Sequence, residues 1–356
     1  MLDFYPLVRP LLFQLDPERT HGLVIKALKA GLFPAAAPVN DPVLNTAVCG
    51  LSFAHPLGMA AGFDKHVEVI APILRLGFSF TEVGGITPRP QPGNPKPRLF
   101  RVTEAEAIIN RFGFNNDGTD VCVGRLRHYR ETGGRGTVGI NITINKDTTD
   151  PIMDYVINLR GFAPLADFLV VNVSSPNTAG LRNLQGRDQL NNLLQHVCEA
   201  HQAEVRKPPL FVKIAPDLDE GQMEDIATVV LSNKIDGLIV SNTTISRPDV
   251  VPAWYAAEVG GLSGRPLFEP STRILARMYQ LTEGKLPLIG VGGIGSGADA
   301  YAKICAGASL LQLYSALVYQ GPRVVTRILR DLAQLLRRDG YAHVADAVGS
   351  RVKDWA

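Results

Sequence analysis

From residue 55 onward, short apolar runs rich in Val, Ile, Leu and Phe alternate with stretches whose apolar side chains recur every three or four positions. The first kind suits buried parallel strands and the second amphipathic helices, so the alternation predicts βαβ units. Eight strands are predicted: PLGMAAG (56–62), FSFTEVGG (78–85), TVGINIT (137–143), FLVVNVSS (168–175), PLFVKIA (209–215), GLIVSNTT (237–244), PLIGVGGI (287–294) and SLLQLYSA (309–316). In the last helical stretch Val324, Val325, Ile328, Leu329, Leu332, Leu335 and Leu336 share one face. Eight such units predict an α/β fold, a (β/α)8 barrel, with an open doubly wound sheet as the competing arrangement. The longest interruptions follow the second strand (TPRPQPGNPKPRLF onward) and the sixth (245–270). Both are rich in Pro and Gly, and long loops on one barrel rim commonly cover a site.

The first 40 residues follow another pattern. Two short helices meet at Leu15-Asp16-Pro17, with Asp16 as N-cap and Pro17 in the first helical position. The first carries Phe4, Tyr5, Leu7, Val8, Leu11, Leu12 and Phe13, and Arg9, Arg19, Lys26 and Lys29 supply charge. An apolar helix pair with basic residues suits a membrane interface; a lid packed on the barrel is the alternative. The expected division is a helical extension (1–40), a barrel (41–340) and a C-terminal tail (341–356).

Composition narrows the picture. A net charge of +2 gives no basic excess, so nucleic acid is not expected as the partner. Cys49, Cys122, Cys198 and Cys305 are scattered without CxxC spacing, which argues against a disulfide framework or a metal site. No run of about 18 uncharged apolar residues and no signal-peptide cleavage pattern occurs, so neither a spanning helix nor export is expected.

The predicted strand ends carry the candidate chemistry. They read Lys65, Gly85, Asn141, Asn172 with Ser175, Lys213, Asn242 with Thr243, Gly293, and Tyr314 with Ser315. In barrel enzymes that rim is the active-site face. The densest segment is FLVVNVSSPNT (168–178), a buried run stopping at Asn172, Ser174, Ser175, Pro176, Asn177 and Thr178. Amides around a hydroxyl suit a planar, hydrogen-bonding substrate, although an Asn/Ser turn capping a helix would read the same way. GVGGIGSG (290–297) stands where barrels bind phosphate. Lys213, the one charge in its strand, suits an electron-rich ring such as reduced flavin.

These motifs resemble the quinone-linked, membrane-associated (class 2) dihydroorotate dehydrogenases. The matching stretches are FQLDPERTH, AAGFDK, TPRPQPGNPKPRLFR, INRFGFNN, NKDT, VNVSSPNTAGLR, VKIAPDL, SNTT, GGLSGRP, GVGGI and GASLLQLYS, from residue 13 to residue 315. The resemblance implies an FMN barrel that oxidises dihydroorotate to orotate in pyrimidine synthesis and passes electrons to ubiquinone or a related quinone. It implies FMN contacts from Ala61, Gly62, Phe63, Asp64, Lys65, Gly85, Asn141, Asn172, Lys213, Ser241, Gly264, Gly293, Tyr314 and Ser315. It implies substrate contacts from Lys65, Asn110, Arg111, Phe112, Gly113, Phe114, Asn172, Asn177, Asn242 and Thr243, with Ser175 as the catalytic base. The cytosolic class places cysteine at that position.

The chain departs from the family pattern in three places. Gly85 stands where Thr is usual, Ser241 replaces Thr, and Thr143-Ile144 replaces Gly-Lys. A serine hydroxyl is a weak base and needs a relay, through water or Thr178. His21, Arg101 and Tyr314 are expected beside the quinone, at an apolar tunnel mouth formed by the N-terminal helices. The implied location is peripheral, on the cytoplasmic face of a bacterial inner membrane. Two other readings share the phosphate site: a flavin barrel reducing another pyrimidine, such as uridine in RNA, and a non-catalytic barrel binding a phosphorylated metabolite.

Overall fold

The computed structural model describes residues 5–355, so Phe4 lies outside the described residues. All eight expected strands form: β1 (Leu57–Met59), β2 (Phe80–Ile86), β3 (Thr137–Ile142), β4 (Phe168–Asn172), β5 (Leu210–Ile214), β6 (Gly237–Val240), β7 (Leu288–Val291) and β8 (Ala308–Leu313). They close into a parallel barrel in chain order, with β8 against β1. Helices pack around it, and the open doubly wound alternative is excluded.

Closure forces alternate residues of each strand toward the axis. The lower interior is apolar: Phe80, Phe168, Val170, Phe211, Ile239, Ile289 and Leu310, closed beneath by Val48 and Phe53 of the hairpin Thr46–Val48/Leu51–Phe53. The Phe53, Phe80, Phe168 and Phe211 rings meet edge to face in sequence, with centroids 5.4, 6.1 and 5.6 Å apart. Neighbouring glycines make room for them. A Cβ on Gly58 would sit 2.4 Å from the Phe80 ring, one on Gly139 2.0 Å from Phe168, and one on Gly237 2.3 Å from Phe211.

Two residues further up β2, β3, β5 and β8 the same alternation delivers Glu82, Asn141, Lys213 and Gln312 toward the axis, with Asn172 at the top of β4. The barrel therefore changes from apolar floor to polar mouth within one strand repeat.

The two long interruptions are not independent loops. Ala107–Asn110 from the first pairs with Leu99–Val102 on one side and with Gly261–Gly264 from the second on the other, forming a three-stranded antiparallel sheet. Period and composition did not predict it.

At the N-terminus, α1 (Tyr5–Gln14) and α2 (Pro17–Lys29) form as expected, and the Asp16 carboxylate accepts from the Arg19 amide at 2.8 Å. The inner face of α1 docks on the helix after β8: the Tyr5 hydroxyl donates to the Val318 carbonyl, and Phe13 packs on Tyr319. Leu7, Val8, Leu11 and Leu15 remain exposed, as does Leu23 on α2. Among the described residues no helix is long and apolar enough to cross a membrane. The segment after residue 340 packs back on the barrel, with Trp355 against Phe268.

Ala is better tolerated than Gly in most strands, but at position 139 the Phe168 ring holds the space. Gly139→Ala should therefore destabilise the protein by about 1–3 kcal/mol, the cost of overpacking; urea denaturation will check it.

Candidate active site

A cavity of about 940 Å³ opens at the C-terminal mouth of the barrel. Ser175, Lys213 and Gly293, far apart in sequence, all line it. Beneath it lies Glu82, which has no solvent exposure. Its Oε1 accepts from Asn141 Nδ2 at 2.6 Å and Lys213 Nζ at 3.3 Å, and its Oε2 accepts from Gln312 Nε2 at 2.7 Å. A row of amides continues from there. Asn172 Nδ2 donates to Asn141 Oδ1 at 2.9 Å, and Asn242 Nδ2 lies 3.4 Å from Asn172 Oδ1 and 3.0 Å from Ser174 Oγ. Gln312 Oε1 is buried and has no partner among the described residues.

At one end the Lys65 ammonium sits 4.2 Å from the centre of the Phe112 ring and donates to the Gly62 carbonyl. Burial pulls its pKa down to about 8, the Glu18 and Asp64 carboxylates opposing that shift. Arg98 also contacts the Phe112 ring, at 5.5 Å, and is held by Glu18 of α2 at 2.8 Å. The helical extension is thus built into the wall around Lys65. Asn177 Nδ2 donates to Asn110 Oδ1 at 3.3 Å, and the Asn177 amide donates to Ser175 Oγ at 3.3 Å. That leaves the buried Ser175 hydroxyl its proton and a lone pair for whatever fills the cavity.

The other end is a cradle of backbone. Gly264, Gly292 and Gly293 have φ of 96°, 114° and 73°. A Cβ on Gly293 would lie 2.4 Å from Phe268, and one on Gly264 2.3 Å from the Glu106 carbonyl. Ser263 and Ser315 hydroxyls meet at 2.9 Å beside them. Behind the turn, fully buried Lys303 donates to Ser271 at 2.8 Å and Thr272 at 3.0 Å, and Ser271 in turn donates to the Gly292 carbonyl.

Ala61, Gly62, Lys65, Gly85, Asn141, Asn172, Lys213, Ser241, Gly264, Gly293, Tyr314 and Ser315 line this one cavity. So do Asn110, Phe112, Gly113, Phe114, Ser175, Asn177, Asn242 and Thr243. Phe63, Asp64 and Arg111 do not. The Asp64 carboxylate turns into its own loop, accepting from the amides of His66, Glu68 and Val69. Arg111 turns outward to Glu258 at 2.5 Å and onto the Phe100 ring. Phe63 packs between His21 and Tyr314, with centroids 5.3 and 5.5 Å away. Burial, with nearby Lys65 and His66, holds the His21 imidazole well below its usual pKa. Arg101 stands apart from this stack, over the Phe13 ring and donating to the Leu12 and Leu15 carbonyls. No residue of α1 or α2 lines the cavity, and Thr178 is buried outside it.

Structure accounts for one of the sequence departures, Gly85. The Phe114 ring occupies the space above Gly85, where a Cβ would come within 2.9 Å of it. Thr143 and Ile144 are buried, and the Thr143 carbonyl accepts from Asn158 at 2.9 Å. Glu82 and Gln312 were missed. Each is the one charged or amide side chain in its strand, the same kind of signal that singled out Lys213.

Fold and site define a (β/α)8 barrel whose mouth opens on one cavity, walled at one end by glycine turns and at the other by amides. The family described as dihydroorotate dehydrogenase matches residues 43–336. The chain is 52% identical over 356 residues to the dihydroorotate dehydrogenase (quinone) of Azorhizobium caulinodans, covering 99% of this chain and 100% of that one. It is 54% identical over 356 residues to that of Rhodospirillum rubrum, covering 99% and 96%. The crystal structure of DHODH from Eimeria tenella in complex with ferulenol superposes with a TM-score of 0.92 at 40% identity, covering 95% of this chain and 98% of that one. The chain belongs to the dihydroorotate dehydrogenase family, in its quinone-dependent class.

Lys65 should carry its charge below about pH 8 and lose it above. An anion held by that charge must then bind more weakly as pH rises. Titration with orotate between pH 6.5 and 9 should show affinity falling through about 8, and Lys65→Met should bind weakly with a flat profile.

Proposed function

We propose that this protein oxidises (S)-dihydroorotate to orotate and passes the electron pair to a quinone, as a step of pyrimidine biosynthesis. One observation carries the reading: a hydroxyl, a row of asparagine amides, two lysines and a glycine cradle converge on a single cavity in a chain of this family. The RNA-acting and non-catalytic alternatives give way to that membership.

FMN suits the cavity. The unpartnered acceptor of Gln312 can take a ring N–H, Lys213 can face an electron-rich edge, and Gly264, Gly293 and Ser315 can hold a phosphate where side chains would clash. Bound there, FMN supplies the acceptor for the hydride leaving C6 of the substrate.

The protein's own groups do the rest. Lys65 meets the substrate carboxylate, while Asn110, Asn177, Asn242 and Thr243 offer donors and acceptors to its ring amides. Ser175 takes the C5 proton as the C5–C6 double bond forms, and the Asn177 amide holds its oxygen in place. Thr178 lies outside the cavity lining, which favours water as the onward proton acceptor. The His21–Phe63–Tyr314 stack is the candidate approach for a quinone head group. Exposed Leu7, Leu11 and Leu15, with Arg9 and Arg19, suit α1 and α2 to the interface of a membrane. In this reading the protein sits peripherally on the cytoplasmic face of a bacterial inner membrane.

Ser175→Ala should retain FMN and bind orotate, yet bleach its flavin on anaerobic addition of dihydroorotate at least about 10²-fold more slowly. Bleaching at the normal rate would remove Ser175 from the role. Because Glu18 and buried Leu28 tie α2 to the barrel, surface substitution is a cleaner test than deletion of the extension. Leu7→Glu with Leu11→Glu should spare bleaching by dihydroorotate while abolishing vesicle co-sedimentation and turnover with a long-chain quinone.

A further inference from the structure

We propose that Glu82 is a positioning residue that fixes the donor–acceptor sense of every amide in the row running from Gln312 to Asn242. The inference rests on reading the cavity as the FMN and dihydroorotate site, and it assigns a task to a residue that lies beneath that site rather than in it.

A carboxylate offers acceptors only. Glu82 has no solvent exposure, and its three neighbours on β3, β5 and β8 all turn hydrogen toward it: Asn141 at 2.6 Å, Lys213 at 3.3 Å and Gln312 at 2.7 Å. Once the Asn141 NH2 faces Glu82, its carbonyl must face Asn172, which donates at 2.9 Å. The Asn172 carbonyl is then left for the Ser174 hydroxyl at 3.1 Å and for Asn242 Nδ2 at 3.4 Å. The Asn242 carbonyl in turn accepts from the Thr243 amide at 2.8 Å. Reversing any one asparagine would set oxygen against oxygen at the link on its Glu82 side and N–H against N–H at the next link. On the opposite side the same constraint turns the Gln312 carbonyl to the cavity, where it has no partner among the described residues.

An uncharged residue could fill this place sterically but could not impose the order. A glutamine at 82 can donate as well as accept, so both senses of the row become available. Asn172 and Asn242 would then present mixed faces to a substrate that needs one.

Neutron diffraction from crystals of the full-length, FMN-loaded protein reads the sense directly. The expected map has deuterated NH2 groups of Asn141 and Gln312 facing Glu82, and that of Asn172 facing Asn141. An Asn141 or Gln312 carbonyl facing Glu82, or a deuteron on the Glu82 carboxyl, would overturn the proposal. In solution, Glu82→Gln should raise the dissociation constants of orotate and of FMN at least about tenfold, the loss expected for a charged hydrogen-bond acceptor. Glu82→Asp, still an acceptor only, should recover part of that loss. Binding of both ligands within about twofold of wild type by folded Glu82→Gln would sink the idea; if that variant does not fold, the neutron map decides. Failure of the wild-type protein to bind orotate would instead count against the functional reading, leaving the amide sense to the map.

Discussion

A sheet closed on itself leaves one side of every strand facing the axis, where there is no water and little room. Everything placed there must interdigitate with its neighbours or satisfy them with hydrogen bonds. This chain meets the first demand in its lower barrel with phenylalanines laid over glycines, and the second at the mouth with one carboxylate shared among three donors. The site is the upper edge of the core, where packing hands over to polarity.

Two lysines at that edge are handled differently. Lys213 is paired with Glu82, so its burial is offset within the barrel wall. Among the described residues Lys65 has no carboxylate in contact, and it rests on the Phe112 face, which leaves its charge available to an incoming anion. A buried ion pair is weak evidence for added stability. Its value here lies in holding groups from several strands in one geometry.

Much of this was legible in the chain. The eight strands are apolar runs bounded by turn residues, and their ends named most of the cavity wall. What escaped detection did so for physical reasons. The antiparallel sheet at the mouth joins segments about 150 residues apart, Asn110 pairing with Gly261, and no local pattern records such a pairing. Asp64 and Arg111 belong to the right segments, but side-chain direction follows from neighbours, the loop amides and Glu258 respectively. Glu82 was readable in principle: an acid inside FTEVGG has no place in an apolar core unless something there requires it.

The aromatic floor carries a consequence for how such sequences can drift. Where a ring lies across a residue that has no side chain, neither partner is free to vary alone: shrinking the ring opens a void, and filling the glycine collides with it. Positions 58 and 80, 139 and 168, and 211 and 237 are thus three sterically coupled pairs, each spanning adjacent strands. In an aligned set of relatives these couples should stand out as paired exchanges, independent of any chemistry performed above them.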